Sequence, residues 1–268
     1  MSGAAGKYAK TFVMGLQNAL EYRANFALSL LSSIFPIVVQ VFLWLAVFQS
    51  AARPSVFGYT RGELIAYSIL AALFGKLAAA GFEHEIAGDI KDGRLSKFVV
   101  QPIHYFLFRL CSFLGEKSIH YLVIAVLTAG VVFALRSDIQ PEPMRILVCL
   151  TALTLSVAIN FLIFFSLSMT AFWIQEVLGI YLAFSLLANI AGGGLFPLDM
   201  FSDSVRAVLN LLPFKYIVYF PAQLLLGKVP SGDMLANVSV QLLWILVLTL
   251  VSMLLWRTGL RKYESVGG

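Results

Sequence analysis

The sequence predicts an all-α integral membrane protein forming one domain over residues 1–268. Six transmembrane helices are accompanied by an amphipathic surface helix (1–24), a charged inner loop (82–117) and an outer re-entrant helical hairpin (192–232). Three observations carry this. First, 60% of the 268 residues are hydrophobic and 12% charged, against about 25% charged in soluble domains. A globule this short cannot hide so much apolar surface from water, so lipid is its solvent. That excludes a cytosolic enzyme, a nucleic-acid-binding module and a secreted disulfide scaffold. Second, the apolar residues fall into runs near the roughly 20 residues a helix needs to cross a bilayer core. Third, one long outer segment is too apolar for a loop and too broken by proline for a span.

The runs are taken in order. Residues 26–48 carry no charge and contain Pro36, tolerable where neighbours re-satisfy the backbone. They are too long for a signal peptide's apolar region of roughly 7–15 residues. Residues 64–82 are interrupted by Lys76, and residues 119–135 open near His120. Residues 146–174 are the longest uncharged stretch. Residues 177–198 are broken near their end by Gly192, Gly193, Gly194 and Pro197, and 234–256 close the set. Ahead of them, Tyr8, Phe12, Val13, Leu16 and Leu20 recur at helical spacing, with Lys7, Lys10, Gln17 and Glu21 on other faces. This predicts a helix lying on the membrane surface.

Six spans put both termini on one side. Lys7, Lys10, Arg23, Lys91, Arg94, Lys97, Arg109, Lys117, Arg257, Arg261 and Lys262 then share that side. Arg53, Arg61, Arg136, Arg145, Arg206, Lys215 and Lys228 fall on the other. The richer set lies inside by the positive-inside rule, so the termini are expected in the cytoplasm. The net charge of +5 reads the same way, as basic flanks held against anionic lipid. Cys111, in the charged loop, and Cys149, in an apolar run, make no disulfide framework and no metal motif.

The inner loop alternates Glu83, Glu85, Asp89 and Asp92 with Lys91, Arg94 and Lys97 before the apolar Phe98-Val99-Val100. Gln101-Pro102 ends the element, since the residue before proline is pushed out of helix. By composition it is either a protein-docking helix or a solvated loop. The outer segment from Gly192 to Lys228 carries Pro197, Pro213 and Pro221 around a short helix at Ser204–Leu209, with Ser202 or Asp203 as its cap. Irregular backbone at membrane depth survives only where protein buries it or it lines a cavity. A seventh span over 208–226 is the alternative, and Lys215 with two prolines argues against it.

At these two segments the sequence resembles the permease subunits of ABC-2 type transporters, over essentially its whole length. The similar residues are Ile90-Lys91-Asp92-Gly93-Arg94-Leu95, continuing through Val99 to Gln101-Pro102. On the outer side they are Gly193-Gly194-Leu195-Phe196-Pro197-Leu198, Leu212-Pro213-Phe214, and Phe220-Pro221-Ala222 to Gly227. Glutamine before the inner proline departs from the pattern. The resemblance implies a single ABC-2 type transmembrane domain whose cytoplasmic coupling helix, about Gly88 to Val100, seats in a partner ATPase. Asp89, Asp92, Arg94 and Lys97 would be its polar contacts and Leu95 and Phe98 its apolar anchors. Gly193, Gly194, Pro197, Pro213, Phe214 and Pro221 would form the outer re-entrant motif.

The expected function is that of a permease subunit of an ATP-driven exporter in the plasma membrane. It would move an amphipathic, lipid-, glycan- or drug-like substrate, paired with a second copy or a sister permease and with ABC ATPase subunits. Phe42, Trp44 and Phe48 offer one face for a partner permease. The sequence contains no GxxxxGK[ST] loop, Gly115-Glu116-Lys117-Ser118 being the nearest imitation. ATP and magnesium are therefore expected on the partner chain, with no cofactor, metal or catalytic residue here and no nucleic acid partner. Two residues are candidates for a substrate path. Lys76 either snorkels to the inner headgroups or faces a cavity and meets an anion such as a lipid phosphate. Asn160 sits mid-span, where a cross-helix hydrogen bond is the plainer role. His84 lies between Glu83 and Glu85, but adjacent residues point different ways on a helix, which disfavours a metal site or proton relay. His104 and His120 read as interfacial residues. The other class of reading is a stand-alone secondary carrier or a membrane-embedded enzyme. No internal repeat relates residues 1–134 to 135–268, and no mid-span carboxylate supports it.

Overall fold

The computed structural model describes residues 2–51, 53–100, 103–139 and 141–263, which are helical throughout apart from turns and one bridge between Val56 and Tyr59. The Gln101-Pro102 pair lies outside the described residues. Twelve α-helices are described: α1 (Ser2–Glu21), α2 (Arg23–Ser32), α3 (Ile34–Ala51), α4 (Arg61–Ala78), α5 (Glu83–Lys91), α6 (Ser96–Val100), α7 (Tyr105–Ala134), α8 (Pro143–Ser168), α9 (Leu178–Ala191), α10 (Asp203–Asn210), α11 (Tyr219–Leu225) and α12 (Met234–Leu260).

Among the described residues five helical stretches are long and apolar enough to cross a membrane: Arg23–Ser50, Arg61–Lys91, Tyr105–Ala134, Pro143–Phe172 and Ser231–Leu260. The run predicted at 177–198 yields only the 14-residue α9. At 1.5 Å per residue that is about 21 Å, against a core of about 30 Å. Its end is set by the glycines the sequence shows: Gly193 takes a left-handed φ of 78°, which a side chain would strain. Pro36 falls in the first turn of α3, where its missing N–H has no intrahelical partner to lose. At the α2–α3 joint, the hydroxyls of Ser32 and Ser33 donate to the Ser29 carbonyl at 2.8 and 3.1 Å.

α4 and α8 form the centre. A capping box starts α4: the Glu63 N–H donates to Thr60 Oγ1 at 3.2 Å, and the Thr60 N–H to Glu63 Oε2 at 2.7 Å. Leu64, Tyr67, Leu70, Phe74 and Leu77 of α4 are buried, as are Ile159 and Phe161–Phe165 of α8. Phe82, Phe113, Phe161 and Phe165 form an aromatic cluster with centroids 4.9–5.7 Å apart. α12 packs on α8, and Gln241 Nε2 donates to the carbonyls of Ala152 and Tyr216 at 3.1 and 3.2 Å. Outward faces stay apolar, with Leu122, Val126 and Phe133 on α7 and Leu242, Leu246, Leu250 and Leu254 on α12. A helix that is apolar on its exposed side faces lipid.

A further boundary differs from the sequence reading. α7 begins at Tyr105, fourteen residues before the predicted start at 119, so much of the predicted loop 82–117 is one continuous helix carrying Cys111. Arg109, Glu116 and Lys117 lower the local hydropathy without breaking the helix. The reason lies in α1, which runs parallel to this first half of α7. Its seam with α7 is formed by the small residues Thr11, Gly15 and Ala19, which are buried. A Cβ on Gly15 would meet the Ser112 carbonyl, and one on Gly115 the Phe12 carbonyl. The backbones therefore touch, while Phe12, Val13 and Leu20 remain exposed.

In the outer segment α10 matches the predicted short helix. Ser202 holds the N-cap position without a side-chain capping bond, and Asp203 instead pairs with Arg206. α10 is exposed, with Val205 and Val208 outward, whereas α11 is buried between α4 and α8. Ser156 Oγ donates to the Tyr216 carbonyl at 2.6 Å, and the Tyr219 N–H to the Gly192 carbonyl at 3.0 Å.

Candidate functional site

Three groups of polar residues stand out in an otherwise apolar protein: the charged element α5–α6, a cavity beside α4, and the outer segment around Asp199.

In α5–α6 the chain turns through Gly93 at a φ of 71°, so that Arg94 folds back over α5. Asp89 is buried and accepts from Arg94 Nε at 3.1 Å, from Tyr105 Oη at 2.8 Å and from Arg109 Nη2. Arg109 also pairs with Glu85 and lies 5.4 Å from the Tyr105 ring centre. Tyr105 in turn stacks on Trp256 of α12 at 5.2 Å and 7°. Lys91 donates to the Gln175 carbonyl, and Tyr181 Oη to the Glu83 carbonyl at 3.4 Å. The element is thus tied to α7, α9, α12 and the loop before α9. Charge-assisted bonds are roughly twice as strong as neutral ones, and the Asp89–Arg109 pair among them is shielded from water, with side chains 7% and 11% exposed.

This divides the six residues the sequence grouped together. Asp92 and Arg94 are exposed, at 58% and 51% of their side chains, and bridge each other at 3.2 Å. Lys97 is exposed beside them, over the Phe98 ring. Asp89 and Leu95 are buried within the chain, so they fix the element rather than present a surface. Phe98 packs on Tyr105 and Phe108 at 4.9 and 5.0 Å. Arg109, Tyr105 and Trp256 carry no motif and were missed. The only hint was an arginine and a tyrosine at i, i+4 spacing in a stretch taken for loop.

The cavity, about 600 Å³, lies between α2–α3, α4, α8, α9 and the start of the outer segment. Lys76 and Asn160 both line it, together with Ser32, Ser33, Gln40, Glu83, Ser185 and Asn189. Lys76 Nζ donates to Ser29 Oγ at 3.0 Å, Asn160 Nδ2 to the Ala78 carbonyl at 2.5 Å, and Gln40 Nε2 to the Leu195 carbonyl at 3.2 Å. Asn160 does make the cross-helix bond expected of it, at the point where α4 ends, and it lines the cavity as well. Lys76 has a second basic group near it. Lys117 of α7 is buried over the Phe113 ring, with Glu83, Glu116 and Lys76 as electrostatic neighbours. His84 lies edge-on to Tyr181 at 5.5 Å, the His120 ring lies 3.9 Å from that of Phe26, and the His104 N–H donates to Tyr8 Oη at 3.1 Å. Among the described residues no cluster of His, Cys, Asp or Glu is placed to hold a metal ion.

At the opposite end of α4 Asp199 accepts from Tyr59 Oη, from Tyr219 Oη at 2.8 Å and from Gln223 Nε2 at 3.1 Å, with Arg206 at 3.9 Å. Tyr59 comes from the loop before α4, which turns through Phe57 and Gly58 at φ of 53° and 79°. Burial, reinforced by the neighbouring Tyr219 and by Asp199, holds the Tyr59 phenol well above its ordinary range, so it stays a donor. Lys228 closes the loop, donating to the Gly58 carbonyl at 3.0 Å and to Glu63 at 2.7 Å. Of the predicted outer motif, Gly193 accepts from Tyr67 Oη at 2.5 Å. A Cβ on Gly194 would strike Asn189. Pro213 starts a 3-10 turn, Phe214 packs on Phe184 at 5.8 Å, and Pro221 lies in the first turn of α11. Pro197 directly precedes the turn that carries Asp199.

No curated protein and no solved structure matches the chain. The family described as ABC-2 family transporter protein matches residues 34–267, which take in α3 to α12 with both polar ends and the cavity lining apart from Ser32 and Ser33. The chain is therefore a multi-pass membrane protein and belongs to the ABC-2 family of transporters, as its permease.

Proposed function

We propose that this permease is the membrane half of an ATP-driven exporter, worked by a separate ATPase chain and moving an amphipathic substrate across the plasma membrane. In this reading α5–α6 is the coupling helix, presenting Asp92, Arg94 and Lys97 to the ATPase. Asp89, Leu95 and Phe98 anchor it to the bundle. The observation that carries the reading is the tie from Asp89 through Arg109 and Tyr105 to Trp256. A movement of the exposed element is passed to α7 and α12 instead of being absorbed by a flexible loop.

Six crossings then place both termini in the cytoplasm, with α9 and its flanks as a short fifth crossing. α1 lies along the inner half of α7 at the membrane surface, and α10–α11 form a re-entrant outer hairpin. The cavity of Lys76 and Asn160 is the substrate path, completed by a second permease, identical or sister. The apolar walls of the cavity support an amphipathic cargo, and the polar ring around Lys76 receives its head. The test is co-purification with the ATPase followed by ATP hydrolysis. Charge reversal at Asp92 and Arg94 is expected to reduce stimulated hydrolysis by at least fivefold with the permease still folded. Unchanged stimulation in that double variant would overturn the assignment of the coupling surface.

A further inference from the structure

The cavity beside α4 holds two opposite charges on its wall. Lys76 is in the last turn of α4 and Glu83 opens α5, and the chain between them leaves helical geometry at Ala79. Without that break they would be one continuous helix with residues seven apart on similar faces. With it, both side chains reach the same 600 Å³ space. Glu83 Oε2 is buried and has no hydrogen-bond partner among the described residues. A buried acceptor left unmade is costly, and burial of a carboxylate makes it more so. The cavity wall therefore carries one cation with room for an acceptor and one carboxylate, Glu83, whose buried oxygen just behind that wall lacks a donor.

This pattern discriminates among ligands. A purely anionic head would meet Lys76 and be repelled by Glu83. A purely cationic head would meet Glu83 and be repelled by Lys76 and by Lys117, which is electrostatically coupled to both. A quaternary ammonium carries positive charge and no N–H for Glu83 Oε2. We propose that the cavity takes an amphiphile whose head joins a phosphate or carboxylate to a primary ammonium. The anion sits at Lys76 with Ser32 and Ser33 nearby, and the ammonium donates to Glu83. Pro36, Ile37, Ala71, Phe164 and Ile217 on the same wall receive the start of the apolar tail. The inference rests on the cavity being the substrate path of the exporter, and it adds the head chemistry to that path.

The test measures binding to the permease–ATPase complex in detergent with three phospholipids of identical acyl chains, carrying ethanolamine, choline or glycerol heads. Native mass spectrometry reads occupancy. The ethanolamine lipid is expected to bind about tenfold more tightly than the other two, the effect of one hydrogen bond to a charged group. Glu83→Gln should bring it down to the choline lipid, while Lys76→Met should weaken all three alike. Soluble phosphoethanolamine should compete only weakly. Competition as strong as that of the lipid would mean a free solute and overturn the amphiphile. Equal binding of the three lipids to the unaltered complex, or preference for the glycerol head, overturns the proposal without recourse to any variant. ATP hydrolysis separates this failure from a wider one. If no lipid or other amphiphile stimulates the complex, the transport reading fails. If stimulation is present but blind to the head, only the head chemistry does.

Discussion

Two aspartates past opposite ends of α4 are satisfied in opposite ways. Asp89, beyond its C-terminal end, is held by two arginines and a tyrosine, and its side chain is 7% exposed. Asp199, by its N-terminal end, is held by two phenols and an amide, with Arg206 at a looser 3.9 Å and 30% of its side chain exposed. Paired buried charges resist separation because each becomes an uncompensated charge in a poor solvent. Neutral donors around a half-wet carboxylate can be exchanged for water at little cost. The Asp89 site is therefore a rigid joint and the Asp199 site a releasable latch. The proposed cycle uses that asymmetry, since the end driven by the ATPase must not yield and the far end must open.

The largest effect should come from breaking the rigid joint. Arg109→Ala leaves Asp89 buried beside fewer donors and is expected to cost about 3–5 kcal/mol, read as a lowered unfolding temperature of the purified permease. Arg109→Lys keeps the charge but not the fork that reaches Glu85, Asp89 and Tyr105 together. It should recover stability in part while ATP hydrolysis by the complex stays poorly coupled. If Arg109→Ala melts with the unaltered protein, the joint is not rigid and the comparison fails.

Next in size is the seam that supports that joint from outside. Gly115→Leu sets a side chain against the Phe12 carbonyl of α1, and backbone cannot swing away as a side-chain tip would. Overpacking of this kind costs about 1–3 kcal/mol. It should appear as release of α1, measured by faster proteolysis between Lys7 and Arg23. Cleavage unchanged from the unaltered protein would show that α1 does not depend on the close approach.

How much of this was legible depended on what signalled it. The spans and the lipid setting followed from apolar runs, since a bilayer imposes a length that composition reveals. The outer segment was marked by its prolines and glycines, whose backbone demands are local. Lys76 and Asn160 were legible as polar groups in apolar runs, though nothing in the sequence showed that they share a cavity. The joint was illegible because Asp89, Arg109 and Trp256 lie far apart in sequence and meet only through packing. The same holds for the seam of α1 with α7, because Thr11, Gly15 and Ala19 are small and inconspicuous in the sequence. α9 came out shorter than its apolar run because hydropathy does not register the glycine turn that stops the helix.

The latch can be sharpened by a milder change. Asp199→Asn removes the charge and keeps one acceptor for Tyr59 and Tyr219, so it should cost about 1.5 kcal/mol. Its effect on the ATPase-coupled cycle should run opposite to that of Arg109→Ala. A loosened exit is expected to raise basal ATP hydrolysis where a loosened joint lowers the stimulated rate. A fall in both rates would mean that Asp199 belongs to the rigid framework after all.

The smallest effect tests whether the latch has a clasp of its own. Lys228 ties the loop of Tyr59 to α4 through Glu63 and the Gly58 carbonyl, and its side chain is 31% exposed. A partly exposed pair contributes about 0.5–1 kcal/mol. Glu63 would also keep its capping bond from the Thr60 N–H when Lys228 is gone. Lys228→Met should therefore leave the unfolding temperature nearly unchanged. Amide exchange in residues 56–60 should nonetheless rise, because the loop loses the side chain that ties its Gly58 carbonyl to α4 through Glu63. That separation, local loosening without global loss, is the behaviour of a part built to move. Exchange confined to its former rate would place Tyr59 under the control of Asp199 and Gln223 alone.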